Sequence, residues 1–277
     1  MVKKIIIIGL VLFAAFNIFL YLIPKDKGVI YTDIEKTELF LYSGHKYKVV
    51  TAGSSLIGRF TLKAKTNKNY FNLSLPPSGG CSGVKIIKLS NKIPDTLYLE
   101  TNYISRGYNK PLIAHTFEPT SHYPKSYFPA LQEKNKFFPF FINYLKPGNM
   151  DLPSKKRPQG KLFDKLFAKT KEEYSKALNP KEWNAILKEL KEDLNYLTAK
   201  GCVVVFFEVP LEKEFRNAPK FTFERKSLKA FFNDSKYKWM PPDTTQTYYT
   251  GDGKHLLQES FIQFDEYFSH QASMLKQ

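Results

Sequence analysis

Two short stretches of this chain carry the residue types of nucleophilic catalysis. Gly53-Ser54-Ser55-Leu56 sets a serine in a glycine-led turn, and Asp252-Gly253-Lys254-His255-Leu256 sets a carboxylate three residues before an imidazole. In a turn, that spacing lets Asp252 meet one ring nitrogen of His255 and leaves the other facing a serine hydroxyl. A serine between a strand and a helix also exposes its hydroxyl at the sheet edge, where helix N–H groups point at the reaction centre. Ser78-Gly79-Gly80 and the amide of Asn102 are the group types that donate hydrogen bonds to an oxyanion. The G-x-S-x-G elbow of α/β-hydrolases is absent, because Ile57 stands where its second glycine belongs and Gly58 comes one place late. Each signal taken singly has a plainer reading: Ser-Ser as an N-cap, Gly-Gly as a turn, Asn as a partner for nearby backbone. Their weight comes from falling in one order on the ends of successive elements.

Those elements alternate between strand and helix. His45–Gly53 reads as a strand ending in a turn, followed by a helical stretch through Lys65; Asn69–Pro76 and Thr96–Asn102 read as two more strands. Asn179, Pro180 and Glu182 fit N-cap, N1 and N3 of a helix. Trp183, Ile186, Leu187, Leu190, Leu194 and Leu197 then recur at three- and four-residue steps, and Gly201 supplies the stop. Cys202–Pro210 is apolar but for Glu208, the pattern of a parallel strand buried on both faces. Phe261, Phe264 and Phe268 put an apolar stripe on a C-terminal helix. This order predicts an α/β fold, a doubly wound, mostly parallel sheet flanked by helices, with its chemistry at the carboxyl ends of the strands.

The four segments resemble the blocks of the SGNH, or GDSL-type, hydrolase superfamily. G-D-S-L becomes Gly53-Ser54-Ser55-Leu56, the glycine block is Ser78-Gly79-Gly80, the G-x-N block is Glu100-Thr101-Asn102, and D-x-x-H is Asp252 to His255. The resemblance runs from about His45 to Ser269 and leaves Tyr108–Gly160 unmatched. It implies a flavodoxin-like sheet, Ser55 as nucleophile, His255 as general base and Asp252 as its orienting partner. It further implies an oxyanion hole from the Ser55 N–H, Gly80 (with Gly79 the less suited neighbour) and Asn102, with no metal and no organic cofactor. The chain departs from the pattern at Ser54, where an aspartate is usual, and around Asn102, which lacks the glycine before it and the aspartate after it. G-S-S recurs in membrane-tethered envelope members of the superfamily. Proteins of similar layout add or remove O-acetyl groups on envelope polysaccharides or move D-alanine onto teichoic acid. The implied function is therefore an esterase or O-acyltransferase acting on acyl esters of cell-envelope glycans. The alternative is an inactive glycan-binding domain serving a membrane-bound acyltransferase partner.

The N-terminus bears on location. After Lys3 and Lys4, Ile5–Ile23 is an uninterrupted apolar run of 19 residues holding one polar residue, Asn17, and no charge. At about 1.5 Å per residue it matches the hydrocarbon core of a bilayer. It exceeds the usual apolar region of a signal peptide, and no small-x-small cleavage site follows before Pro24. Lys3, Lys4 and the free amine favour a cytoplasmic N-terminus, an asymmetry that Lys25 and Lys27 blunt. The expected layout is a cytoplasmic tail (1–4), a single-pass anchor (5–23), a stem (24–44) and an extracytoplasmic domain (45–277), periplasmic or at the cell surface, with an insertion at about 108–160.

Composition excludes several classes. Of 277 residues, 43% are hydrophobic and 16% aromatic, which rules out wholesale disorder and collagen-like repetition. Two cysteines exclude a disulfide scaffold and an all-cysteine zinc site. Cys81 follows the glycine block at the carboxyl edge of the sheet and Cys202 begins a strand, so the two are expected to be too far apart to bridge. The net charge of +16 suits an anionic polymer or a lipid surface. No basic stripe interleaved with aromatics marks one element, which argues against a nucleic-acid partner. The aromatics and lysines of the insertion, among them Phe128, Phe137, Phe138, Phe140, Phe141, Lys125, Lys134 and Lys136, fit a lid over the site, a foot on lipid, or a satellite core.

Overall fold

Five short runs rich in Val, Leu, Phe and Tyr become parallel strands, and among the described residues three of the four connections between them run through α-helices that return the chain to the same end of the sheet. The computed structural model describes residues 1–22, 32–60, 69–136, 140 and 153–275. In chain order the elements begin with α1 (Val2–Leu22), α2 (Asp33–Tyr42), β1 (Val49–Gly53), β2 (Tyr70–Ser74), α3 (Gly79–Ser90) and β3 (Thr96–Glu100). They continue with α4 (Lys110–Phe117), α5 (Pro119–Tyr127), α6 (Lys161–Ser175), α7 (Pro180–Ala199) and β4 (Val203–Phe207). The last are α8 (Lys213–Arg216), α9 (Pro219–Phe231), β5 (Tyr237–Trp239) and α10 (Gln258–Met274). The chain divides into two compact units, one of residues 1–44 and 111–151, the other of residues 45–110 and 152–277.

The larger unit holds the sheet. Its strand order is β2-β1-β3-β4-β5, and every pairing is parallel. This is the flavodoxin-like order of a doubly wound fold, with its switch point beside β1. All five residues of β1 are buried, as a central strand covered on both faces requires. Alternation along β3 shows the two layers. Leu99 faces α3, where a Cβ on Gly80 would lie 2.6 Å from Leu99 Cδ1, while Tyr98 meets Phe268 of α10 at a ring separation of 5.2 Å. On the α10 side Phe60, Phe207, Phe264 and Phe268 form one aromatic cluster with centroids 4.7 to 6.3 Å apart. In α7 the Asn179 side chain accepts from the Lys181 and Glu182 N–H groups, and Trp183, Leu187, Leu190, Leu194 and Leu197 are buried. Cys81 and Cys202 are both free and buried, one in the first turn of α3 and the other just ahead of β4.

The structure differs from the sequence expectation in two places. Instead of a helix running on from Gly53, the described chain makes a single 3-10 turn, Ser55–Ile57; residues 61–68 lie outside the described part. Asn72 of β2 holds this turn, its amide donating to the carbonyls of Ile57 (2.6 Å) and Phe60 (3.0 Å). The expected insertion without regular structure contains α4 and α5, each opening with a proline in its first turn, where the missing N–H costs nothing. Phe137, Phe138 and Phe141 lie outside the described residues, as do Ile23, Pro24, Lys25 and Lys27.

The smaller unit joins the N-terminal helix to the insertion. α1 is apolar and mostly exposed, with Asn17 and Leu20 its only buried residues. Phe128 and Phe140 pack on its Phe13, Phe16 and Phe19, with ring centroids 5.6 to 6.1 Å apart. α2 starts at a capping box, Thr32 with Glu35. Its Glu38 is buried and ion-paired to Lys125 at 2.7 Å.

Candidate active site

The carboxyl end of β1 delivers Ser55. Gly53 closes the strand, and a Cβ there would lie 2.6 Å from both Cβ and Oε2 of Glu100, so only glycine fits. Ser54 caps the 3-10 turn by accepting from the Leu56 N–H at 3.2 Å, which leaves Ser55 half-buried at its start. The His255 loop comes from the other end of the chain, just ahead of α10. Its shape is set by Gly253, whose φ of +96° and close approach to the Phe215 ring both exclude a side chain. Thr250 Oγ1 accepts from the Gly253 N–H at 2.8 Å, Thr170 of α6 donates to the Asp252 carbonyl at 2.7 Å, and the Glu212 N–H donates to the Gly253 carbonyl at 3.1 Å.

The result is a continuous polar chain. Ser55 Oγ lies 2.9 Å from His255 Nε2, and His255 Nδ1 lies 2.7 Å from Asp252 Oδ2. Asp252 Oδ1 also accepts from the backbone N–H groups of His255 (2.8 Å) and Lys254 (3.1 Å). Burial works to raise the Asp252 pKa, but the hydrogen bonds and charge of His255 outweigh it and hold the carboxyl below its usual range. Asp252 is therefore ionised at neutral pH, which fixes the tautomer with hydrogen on Nδ1 and leaves Nε2 able to accept from Ser55.

The expected oxyanion donors lie at the same sheet edge. Gly80 sits in the first turn of α3, whose leading N–H groups lack intrahelical acceptors, and a Cβ on it would press on Leu99. Gly79 donates its N–H to the Leu75 carbonyl at 2.7 Å, so of the two glycines Gly80 is the better donor candidate. Asn102 is buried just beyond β3. Its Nδ2 donates to the Val209 carbonyl and its Oδ1 accepts from the Val209 N–H, both at 2.8 Å, so one Nδ2 hydrogen is left for a further acceptor.

Sequence reasoning missed Glu100. It is buried, its Oε2 accepts from the Ser54 N–H at 2.6 Å, and burial raises its pKa against the opposing pull of the Ser54 and Asn102 N–H groups and of Arg106. A carboxylate ending an otherwise apolar strand run was the available signal. Beside the loops stand two cations sharing one carboxylate: Lys254 and Arg106 reach Glu173 at 2.8 and 3.5 Å, and the Arg106 guanidinium lies 3.6 Å from the Tyr103 ring centroid. Among the described residues no group of three or more His, Cys, Asp or Glu side chains could hold a metal ion.

No family model matches the chain, and no curated protein matches it. Among solved structures it is similar to one described as a candidate platelet activating factor from Streptococcus pneumonia, with 11% sequence identity, 85% of this chain and 90% of that chain covered, and a TM-score of 0.41.

Proposed function

We propose that this protein is a membrane-anchored serine hydrolase of the SGNH type, an esterase or O-acyltransferase acting on acyl esters of cell-envelope glycans. The observation that carries the reading is the unbroken Ser55–His255–Asp252 chain, assembled from residues 200 positions apart at the carboxyl edge of a doubly wound sheet. In the reaction, Ser55 Oγ attacks the ester carbonyl while its proton passes to His255 Nε2, and Asp252 stabilises the resulting imidazolium. The oxyanion forms against the Ser55 and Gly80 N–H groups and the second hydrogen of Asn102 Nδ2. Collapse expels the alcohol, which takes the proton from His255. Water or a sugar hydroxyl, deprotonated by His255, then releases the acyl group from Ser55.

Location and substrate rest on separate supports. α1 is 21 residues long, apolar and exposed along most of its length, which fits a single membrane span with the larger unit outside the cytoplasm. An extracytoplasmic domain meets envelope polymers first, and the net charge of +16, with Lys254 and Arg106 beside the site, suits an anionic one.

A fluorophosphonate probe tests the nucleophile. It is expected to label the wild type and not Ser55→Ala, and hydrolysis of a small acetyl ester should be lost in parallel. A folded wild type that neither reacts with the probe nor cleaves acetyl esters overturns the enzyme reading and leaves a glycan-binding partner of an acyltransferase.

A further inference from the structure

α5 passes through Phe128 into a 3-10 turn, Pro129–Leu131, that is held against the apolar helix α1. Phe128 packs on Phe13, nine residues before the end of α1 at Leu22, a level about 14 Å inside that end at 1.5 Å per residue. The Ala130 N–H donates to Asn17 Oδ1 at 3.1 Å, about 8 Å inside the same end. Tyr21 in the last turn of α1 contacts the Tyr127 carbonyl. If α1 spans a bilayer, residues 128–131 lie at the depth of acyl chains.

Backbone at that depth needs protein partners for its polar groups. The N–H groups from Phe128 to Glu133 all have one. Phe128 donates to the Pro124 carbonyl, Pro129 has no N–H, Ala130 donates to Asn17, Leu131 to the Phe128 carbonyl, Gln132 to the Pro129 carbonyl and Glu133 to Glu38 Oε2. The carbonyls of Lys125 and Pro129 also receive the side-chain amides of Gln132 and Asn135. Ser126–Gln132 carries no charge, and the ions on either side are paired, Lys125 with Glu38 and Glu133, and Glu133 also with Lys136. The outward side chains complete the pattern: Tyr123, Tyr127, Phe128 and Leu131 are all exposed, with Tyr127 beside Tyr21 in the last turn of α1 and Phe128 on Phe13 deeper along it. Tyrosine at the headgroup level with apolar residues below it is the layering of a membrane interface.

We propose that residues 123–131 form an apolar foot seated in the outer leaflet beside α1, so that the protein grips the bilayer with a re-entrant segment as well as a span. The proposal rests on the reading of α1 as a membrane anchor. The foot's occupant is lipid, because its exposed side chains continue the lipid-facing surface of α1 at the same depths.

Depth-dependent fluorescence quenching tests both in one experiment. The full chain is reconstituted in phosphatidylcholine–phosphatidylglycerol vesicles containing lipids brominated at defined acyl positions, and single tryptophans are added as Val11→Trp, Phe128→Trp or Leu131→Trp over the wild-type signal of Trp183 and Trp239. The foot predicts that the tryptophan added at 128 or 131 loses its fluorescence to acyl-chain bromines, as the one at 11 does. Quenching at 11 with none at 128 and 131 overturns the foot, leaves the anchor standing, and is the outcome expected of a surface that a protein partner covers. No quenching at 11 overturns the anchor reading and the foot with it.

Discussion

The buried carboxylate of Glu100 accepts a hydrogen bond at 2.6 Å from the backbone N–H of Ser54, the residue that turns the chain into Ser55. It ties the end of β3 to the turn after β1, so the position of the Ser55 hydroxyl depends on a side chain from the neighbouring strand. Glu100→Ala leaves the Ser54 N–H without its acceptor, a loss of about 1–3 kcal/mol. Loosening the turn by even a fraction of an ångström should slow fluorophosphonate labelling by roughly tenfold or more. Glu100→Gln keeps an amide oxygen in place and is expected to restore most of the rate; equal loss in both variants would show that the turn does not depend on this bond.

Asp252 sets the tautomer of His255 through Nδ1 and the loop through two backbone N–H groups. Asp252→Asn keeps the size but offers an amide that cannot hold the same ring orientation, and acetyl-ester turnover should fall by roughly 10²- to 10⁴-fold. Because its pKa is depressed in the folded protein, the stabilisation Asp252 supplies is complete above the ordinary aspartate value of about 3.9 and fades as the pH falls below it. Thermal unfolding followed from pH 7 to pH 3 should therefore show the wild type losing its advantage over Asp252→Asn only at the acid end.

Glu224 predicts the opposite pH dependence. Among the described residues neither of its buried carboxylate oxygens has a hydrogen-bond partner, and burial pushes its pKa up to about 7, with the nearby Ser105 hydroxyl and Lys220 pulling the other way. A carboxyl that holds its proton in the folded state and loses it near pH 4.3 in the unfolded chain destabilises the fold increasingly as pH rises from about 4.3 to 7. Glu224→Gln should raise the unfolding temperature at pH 8 and change it little at pH 4. An equal shift at both pH values would assign the effect to packing.

Gly253 is the conformational pivot of the His255 loop, with positive φ and no room for a Cβ beside Phe215. Gly253→Ala should cost about 1–3 kcal/mol in urea unfolding and displace His255 from Ser55. Acetyl-ester hydrolysis should fall further than the stability loss alone explains. Normal activity would mean that the loop finds a second route to the same geometry.

Much of the architecture could be read from the chain because local patterns and burial agree. The apolar run Cys202–Phe207 reads as a strand covered on both faces and forms β4, and the cap and the three- and four-residue spacing from Asn179 to Leu197 read as a helix on a core. The order of Ser55, Gly80, Asn102 and the Asp252–His255 pair was legible for the same reason: parallel strands bring successive carboxyl ends to one edge. Only the tertiary structure decided the rest. Asn72 ties the turn after Ser55 to β2 through the carbonyls of Ile57 and Phe60, an interaction that no local window contains. Glu100 reads locally as a polar strand end and becomes the support of the Ser55 turn only because β3 lies beside β1. The three-residue strand β5 is too short to carry a periodicity and exists because β4 offers it an edge. In the insertion, α5 and the turn after it have little local preference. They are held by Asn17 and Phe13 of a helix more than a hundred positions earlier, where burial and hydrogen-bond closure supply what sequence spacing could not.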